Sequence, residues 1–208
     1  MTKTGKPQAQ PRLPAAWPTL DHWWFDDLRG DVGALIEGAL STYLGPGESP
    51  VLGREPHGKP YLPERLDLNL SVSHGGGRTV LAVSRSGPIG VDCEPILAFD
   101  EMADVAALSF TRAEQRWWRG PGPETRCERF YALWTRKEAV VKAIGEDLQI
   151  PLNSFEVHSG AGDGPAWAEP PGRGLWWVSQ IEAPTGLAAA CAAIQPCDVS
   201  IRRRWGPS

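Results

Sequence analysis

The sequence has few of the features that mark a secreted or membrane-embedded protein. Its four cysteines form no C-x-x-C pair and no metal-finger spacing, its opening MTKTGKPQAQPRLP has no apolar core of the signal-peptide kind, and no apolar run is long enough to span a membrane. Four thiols permit two disulfides, but no other feature indicates secretion. We therefore expect a cytoplasmic protein with reduced cysteines and no membrane association.

A large excess of charge of either sign is also missing. The chain carries 21 Lys and Arg against 25 Asp and Glu, a net charge of −4, which argues against a general nucleic-acid binder. From Arg112 to Lys142, however, eight basic residues are accompanied by only four acidic ones. This local excess suits an anionic ligand or an acidic protein partner, unless it is the solvated face of a helix.

The remaining composition is that of an ordinary soluble globular protein. Apolar residues make up 41% and charged residues 22% of the 208 residues, enough for one large domain or two small packed halves. The ten tryptophans include the pairs Trp23-Trp24, Trp117-Trp118 and Trp176-Trp177, which we interpret as core residues rather than as a sticky surface. Residues 1–16, rich in proline and glutamine, are expected to be flexible.

Turn residues divide the rest of the chain into helices and strands. Helices are predicted at about 30–43, after an N-cap at Ser109 or Thr111 with Glu114 completing a capping box, and at about 124–144. Strands are predicted at 66–74, 79–87, 88–96, 154–158, 164–170, 175–183 and 186–194, with a hairpin turn at 184–186. This order predicts an α+β fold in two halves, 17–98 and 99–208, that meet near residues 95–105.

The segment VDCEP places two carboxylates on one side of a strand. Because side chains alternate along a strand, Asp92 and Glu94 share a face about 7 Å apart, while Cys93 points the opposite way. Carboxylates this close repel each other unless water screens them or a cation lies between them, and oxygen-only ligands suit Mg²⁺. The alternative is a solvated strand end with no metal.

The helix in LWTRKEAVVKAIG carries a polar stripe. Trp134, Glu138 and Lys142 follow one another at intervals of four residues and therefore lie along one side of the helix. One interpretation is an exposed Glu–Lys pair of little energetic weight. The other is that the tryptophan indicates partial burial, in which case Glu138 joins the two strand carboxylates at a metal. Lys137 and Lys142 would then flank a phosphate held by that metal.

Two further segments contain ligand-type groups at turns. SVSHGGGR puts His74 ahead of three glycines, whose backbone N–H groups are suited to an anion. GKPY offers the cation of Lys59 after Gly58, a residue that lets the backbone approach a ligand closely. Taken alone, each segment fits a turn without a functional role equally well.

Taken in order, GKPYL, SVSHGG, IGVDCEP and FYALWTRKEAVVKAIG resemble the signature motifs of the 4′-phosphopantetheinyl transferases of the Sfp type. The resemblance runs from about residue 28 to residue 194. It implies a monomeric pseudo-dimer of two similar α/β halves, with coenzyme A bound in the cleft between them. The implied reaction moves the phosphopantetheine arm of coenzyme A to a serine of an apo carrier protein (acyl, polyketide or peptidyl), releasing adenosine 3′,5′-bisphosphate.

The resemblance also implies roles for individual residues. Asp92, Glu94 and Glu138 are expected to hold Mg²⁺ on the pyrophosphate, and the base for the carrier serine is expected to be Glu138 or, alternatively, a metal-bound water. The expected contacts with coenzyme A come from Lys59 and Pro60 at the adenine, Ser73, His74 at the 3′-phosphate, and Lys137 and Lys142 at the pyrophosphate. Lys142 is also expected to neutralise charge on the leaving group.

The sequence departs from the family pattern at three places. Ser71 stands where the family usually has asparagine, and Gly75 stands where it usually has serine. The first helix reads Ile36-Glu37 where the family carries an arginine for the 3′-phosphate. We expect Arg54 or Arg78 to substitute for that arginine.

Two other functions remain compatible with these residues. The missing arginine favours a non-catalytic protein that binds coenzyme A or a carrier protein. The acidic cluster also fits a Mg²⁺-dependent hydrolase of pyrophosphate bonds, which would cleave coenzyme A without an acceptor protein.

Overall fold

The computed structural model describes residues 18–27, 31–56, 58–145, 150–158 and 164–205, with side chains up to residue 200. The N-terminal segment that is expected to be flexible, residues 1–16, lies outside the described residues. The elements in the described part are, in chain order, β1 (Thr19–Asp26), α1 (Val32–Ser41), β2 (Gly53–Arg54), β3 (Pro60–Tyr61), β4 (Asn69–Gly75), β5 (Arg78–Ser84), β6 (Ile89–Pro95), α2 (Met102–Ser109), α3 (Arg112–Arg119), α4 (Arg126–Ile144), a 3₁₀ turn (Leu152–Ser154), β7 (Ala166–Ala168), β8 (Trp176–Gln180), β9 (Leu187–Ala193) and β10 (Asp198–Trp205).

The strands form two four-stranded sheets and a short separate hairpin. The first sheet has the order β10-β1-β5-β4, and the second has the order β6-β9-β8-β7. All neighbours are antiparallel except β1 and β10, which are parallel. The fold is therefore α+β, as predicted. No helix in the described part of the chain is both long enough and apolar enough to cross a membrane.

The division of the chain between the two sheets differs from the predicted boundary at residues 98 and 99. Strand β6, predicted in the first half, pairs with β9 in the second sheet, and the unpredicted β10 returns from the C-terminal part to pair with β1. The unpredicted β1 carries Trp23 and Trp24 on opposite faces, so that each enters a different core cluster. Both are buried, as are Trp118, Trp176 and Trp177, which confirms the core interpretation for these tryptophans.

The segment predicted as a strand at 154–158 is not a strand. The 3₁₀ turn ends at Ser154, and residues 155–158 pair with no strand in the described part of the chain. Phe155 and Val157 are buried while Glu156 between them is exposed, which explains why the sequence alternates as a strand does. Their backbone groups bond instead to buried side chains of α3 and α4.

The predicted capping box with Glu114 and the predicted hairpin turn are confirmed. Thr111 and Glu114 form the capping box at α3. A second capping box that was not predicted, Thr125 with Glu128, begins α4, whose end is marked by Gly145 in a left-handed conformation at φ 76°. The turn at 184–186 joins β8 to β9 through a hydrogen bond from the Leu187 N–H to the Pro184 carbonyl (3.1 Å).

Helix α4 lies directly on β6 because Gly90 has no side chain. A Cβ placed there would lie 2.0 Å from the Ala139 carbonyl oxygen and 2.3 Å from the Ala143 nitrogen. This close approach brings the last turns of α4, with Glu138 and Lys142, next to the strand that carries Asp92. Packing of α4 against the second sheet also builds the largest core cluster in the described residues.

The two sheets meet along their edge strands β4 and β6. They are joined there by serine side chains: the Val91 N–H donates to Ser71 Oγ (3.0 Å) and the Cys93 N–H donates to Ser73 Oγ (3.3 Å). The functional motifs on β4, β6 and α4 therefore converge at this junction.

Candidate active site

The centre of the site is an ion pair between α4 and β6, braced by β4. Lys142 Nζ donates to Asp92 Oδ1 at 2.6 Å and to Ser73 Oγ at 2.9 Å, and Ser73 Oγ donates to Asp92 Oδ1 at 2.9 Å. Asp92 is only 2% exposed, whereas the Lys142 side chain is 34% exposed. The arrangement places a buried carboxylate and a partly accessible ammonium at the junction of the sheets.

Asp92 has a second oxygen that no neighbour satisfies. Its Oδ2 is buried and has no hydrogen-bond partner among the residues that the structure describes. A buried carboxylate oxygen without a partner carries a desolvation cost that a cation or a ligand donor would relieve. This oxygen is therefore a candidate binding position for a cation or for a hydrogen-bond donor of a ligand.

Glu94 and Glu138 lie in the electrostatic field of Asp92. Burial and the charge of Asp92 raise the pKa of Glu94, while Lys142, a hydrogen bond from Trp134 and the charge of His74 lower that pKa. Burial, then Asp92 and Glu94, raise the pKa of Glu138 to about 7, against the opposing effect of Lys142. A carboxylate with this pKa exchanges a proton near neutral pH, as a general base does.

These three carboxylates fit a divalent cation chemically but do not enclose one as they stand. The described residues contain no group of three or more His, Cys, Asp or Glu side chains arranged to hold a metal ion. Asp92 Oδ2 lacks a partner, and burial followed by the charge of Asp92 raises the pKa values of Glu94 and Glu138. A bound cation would relieve both effects. An oxygen-only donor set is suited to Mg²⁺.

Trp134 lies between the acidic cluster and the core, as its position on the polar stripe predicts. It is half-buried, its ring stacks on Phe130 with centroids 6.0 Å apart, and its side chain lowers the pKa of Glu94. This interaction with Glu94 is one that sequence reasoning missed.

His74 lies at the exposed end of β4, next to the carboxylates. Its charge acts on Glu94, and Gly76 and Gly77 after it have positive φ values of 59° and 72°. At Gly75 a Cβ would lie 2.6 Å from the Cys93 carbonyl oxygen, so this position has no room for the serine that the related motif usually contains.

Lys137 is placed away from the site, which corrects the prediction that it contacts the pyrophosphate. Its side chain is fully buried (0% exposed) and pairs with Glu114 of α3 at 2.9 Å. Its ammonium also donates to the carbonyls of Leu152 (2.7 Å) and Phe155 (2.6 Å). Residues 137 and 138 are adjacent and so point about 100° apart around the helix, which turns Lys137 into the core when Glu138 faces β6.

Lys59 ties the loop before β3 to the end of α4. Its ammonium donates to the carbonyls of Lys142 (2.9 Å), Ala143 (3.3 Å) and Ile89 (3.1 Å), so all three N–H donors are used. Burial lowers the pKa of Lys59, while Glu55 raises it. Pro60 is half-buried beside it in β3. An adenine site lined by Lys59 and Pro60 stays a prediction.

The two arginines expected to replace the missing helix arginine have different surroundings. Arg78 pairs with Asp26 of β1 at 2.6 Å. Arg54 is exposed, and its Nη1 donates a hydrogen bond to the Gly58 carbonyl (3.1 Å). Their role at a 3′-phosphate also stays a prediction.

Comparisons with known proteins identify the family. Residues 88–192, just over half of the chain, match the model of the 4′-phosphopantetheinyl transferase superfamily, and this segment contains Asp92, Glu94, Glu138 and Lys142. The chain is 36% identical over 105 residues to a 4′-phosphopantetheinyl transferase of Bacillus subtilis, covering 50% of this chain and 46% of that protein. It is 33% identical over 112 residues to the 4′-phosphopantetheinyl transferase gsp of Aneurinibacillus migulanus, covering 54% and 45%.

A longer match is weaker in identity. The chain is 29% identical over 171 residues to the 4′-phosphopantetheinyl transferase Sfp of Bacillus subtilis strain 168, covering 81% of this chain and 74% of Sfp. With the first two relatives, by contrast, the chain spans about half of their length. The family match, together with the acidic cluster on β6 and α4, leads to one conclusion. The chain belongs to the 4′-phosphopantetheinyl transferase superfamily.

Proposed function

We propose that this protein transfers the 4′-phosphopantetheine arm of coenzyme A to a serine of an apo carrier protein, acyl, polyketide or peptidyl. The products are the holo carrier and adenosine 3′,5′-bisphosphate. The observation that carries the proposal is the meeting of Asp92, Glu94, Glu138 and Lys142 at the junction of the two sheets. The family membership and the names of the relatives support it.

The residues divide the work of the reaction in a simple way. The serine oxygen of the carrier forms a bond to the phosphorus that bears the pantetheine arm, and the bond from that phosphorus to the oxygen bridging the two phosphates breaks. The electron pair leaves on the bisphosphate, and the serine proton passes to the Glu138 carboxylate, which acts as the general base. Lys142 supplies positive charge toward the leaving phosphate from its partly exposed position.

We further propose Mg²⁺ as the cofactor, held by Asp92, Glu94 and Glu138. When bound, Mg²⁺ would polarise the pyrophosphate and offset the charge of both phosphates. The unsatisfied Asp92 Oδ2 supports this assignment. Asp92 serves as a ligand and not as the base, because its Oδ1 is already engaged by Lys142 and Ser73.

The proposal includes a pseudo-dimer within one chain, acting as a monomer. The two halves support it because they share the order strand, helix, strand, strand. In the first half these elements are β1, α1, β4 and β5, and in the second half they are β6, α4, β8 and β9. In each sheet the first of these strands pairs antiparallel with the last, and the last pairs with the one before it. The four unpaired thiols support a reducing, cytoplasmic site of action.

The test is intact-mass analysis of apo acyl and apo peptidyl carrier proteins incubated with the protein, coenzyme A and Mg²⁺, and again with EDTA. We expect a phosphopantetheine mass gain that EDTA abolishes and that Glu138→Ala loses. Glu169→Ala, at an exposed glutamate just after β7, serves as the matched control and retains transfer. Binding of coenzyme A with no mass gain on either carrier contradicts the proposal and favours the non-catalytic binder. Cleavage of coenzyme A without a carrier favours the hydrolase.

For the 3′-phosphate we propose Arg54 or Arg78 as the missing cation. Charge reversal at each position is expected to reduce the preference for coenzyme A over 3′-dephospho-coenzyme A, measured by calorimetry. Because Arg78 already pairs with Asp26, its reversal is compared with Asp26→Asn to separate the loss of that pair from the loss of a ligand contact. An unchanged preference in both arginine variants rejects the assignment.

A further inference from the structure

Ser73 occupies an unusual position for a residue expected to contact coenzyme A. It lies on β4, is only 5% exposed, and meets three groups of the opposite sheet and its helix. Its Oγ lies 2.9 Å from Asp92 Oδ1, 2.9 Å from Lys142 Nζ and 3.3 Å from the Cys93 nitrogen. All three partners belong to β6 or α4.

The hydrogen-bonding capacity of this hydroxyl is fully used. A serine hydroxyl has one O–H to donate and two lone pairs to accept with. The Lys142 ammonium and the Cys93 N–H can only donate, so both lone pairs accept and the O–H donates to the Asp92 carboxylate. A ligand that bonded to Ser73 would have to displace one of these partners.

The three bonds fix the two charged groups of the site. Ser73 and Lys142 both hold Asp92 Oδ1, which leaves Oδ2 as the oxygen without a partner. Removal of the hydroxyl frees the Asp92 carboxylate to rotate and leaves Lys142 with a single anchor. Small misplacements of reacting groups are costly in transfer reactions.

We propose that Ser73 is a positioning residue, which holds Asp92 and Lys142 in register for phosphoryl transfer and makes no contact of its own with coenzyme A. The kinetic part of this inference rests on the proposed function. It assigns to Ser73 a different role from the coenzyme A contact that the motif resemblance implies.

Ser71 provides a matched control on the same strand. It lies two residues before Ser73, on the same face, is 3% exposed, and accepts from the Val91 N–H as Ser73 accepts from the Cys93 N–H. That bond involves no charged side chain. Ser71→Ala therefore removes a bridge between the sheets without altering Asp92 or Lys142.

The experiment compares Ser73→Ala, Ser73→Thr and Ser71→Ala with the unaltered protein in kcat, in KM and the equilibrium Kd for coenzyme A, and in thermal unfolding. For Ser73→Ala we expect kcat to fall between about tenfold and about a hundredfold, with KM and Kd within about twofold. Ser73→Thr, which keeps the hydroxyl, is expected to retain most of kcat. Ser71→Ala is expected to lower the unfolding temperature similarly and to leave kcat intact.

A readout independent of transfer is the reaction rate of the Lys142 amine with an acylating reagent, followed by peptide mass spectrometry. We expect this rate to rise in Ser73→Ala and not in Ser71→Ala, whether or not the protein is a transferase. An unchanged kcat with a weaker Kd overturns the inference in favour of a ligand contact. Equal loss of kcat in both alanine variants, or unchanged Lys142 reactivity, overturns it in favour of a purely structural bridge.

Discussion

Lys142 Nζ and Asp92 Oδ1 lie 2.6 Å apart and join the last turn of α4 to the middle of β6. The positions of both residues depend on how α4 packs against its neighbours. Gly90, two residues before Asp92, lets the backbone of α4 rest on the strand, and Lys59 holds the carbonyl of Lys142 from the other side. The ion pair therefore depends on helix placement as much as on the two charges.

Replacement of Gly90 by alanine should separate the helix from the strand. The new Cβ would lie 2.0 Å from the Ala139 carbonyl oxygen, and its three nearest neighbours are backbone atoms of α4, so no flexible group can move away. We expect Gly90→Ala to lower the free energy of unfolding by about 3 kcal/mol or more, measured by urea denaturation.

The control for this substitution is Gly38→Ala in α1, where a Cβ meets nothing within 4 Å. Alanine favours a helix interior over glycine by about 1 kcal/mol, so this variant should be unchanged or slightly more stable. A Gly90→Ala protein as stable as Gly38→Ala would show that α4 does not depend on close approach at this position.

Patterns along single elements made the acidic cluster predictable. Alternation in VDCEP and four-residue spacing in LWTRKEAVVKAIG put Asp92 with Glu94 and Trp134 with Glu138 and Lys142, and the structure brings the two sets together. The resemblance to a known family supplied the expectation that they meet. The spacing of residues within one helix or strand does not predict how two such elements pack against each other.

Contacts between distant segments were not predictable in this way. The β1–β10 pair joins the two ends of the chain, with Ser200 Oγ 3.2 Å from Asp21 Oδ1. The 154–158 segment alternates like a strand because Phe155 and Val157 enter the core, but side chains of α3 and α4 satisfy its backbone. Local alternation reports burial and does not identify the hydrogen-bond partner.

Loss of the buried cation at Lys137 should affect folding rather than ligand binding. Lys137→Met leaves Glu114 as a buried carboxylate without its ion-pair partner, and such unpaired charges cost about 3–5 kcal/mol. We expect a loss of this size in urea unfolding, with the coenzyme A affinity of the folded fraction unchanged.

The matching substitution on the surface is Arg85→Ala, which breaks the exposed pair with Asp67. Water screens such exposed pairs, so little stability should be lost. Lys137→Met could instead lose as little unfolding free energy as Arg85→Ala and bind coenzyme A more weakly. That result would mean that Lys137 faces the ligand in solution and that the buried pair is not the dominant state.

The anchor at Lys59 should stabilise the end of α4. Lys59→Met removes the donor to the Lys142, Ala143 and Ile89 carbonyls, and buried carbonyls without partners cost about 1–3 kcal/mol in total stability. Hydrogen exchange at the amides of the last turn of α4 should become faster. Lys59→Arg, which keeps the positive charge at a helix C-terminus, should lose less. Unchanged exchange in Lys59→Met would mean that Gly145 alone holds this end of the helix.

The pH dependence of stability offers a test of the acidic cluster without any assay of transfer. The pKa of Glu138 is raised in the folded protein from 4.5 to about 7, first by burial and then by Asp92 and Glu94. Its favourable contribution to stability is therefore complete below about pH 4.5 and is lost as the pH rises through about 7. Glu138→Gln removes this titration, so in metal-free buffer the variant should gain stability over the unaltered protein between pH 5 and pH 8, by about 2 kcal/mol in urea unfolding.

Addition of Mg²⁺ at pH 8 should reduce this difference, because a bound cation stabilises the ionised cluster of the unaltered protein and has one ligand fewer in the variant. A constant difference between Glu138→Gln and the unaltered protein from pH 5 to pH 8 would mean that Glu138 ionises as an exposed glutamate does. Its role as the base would then lose the physical support that burial among carboxylates supplies.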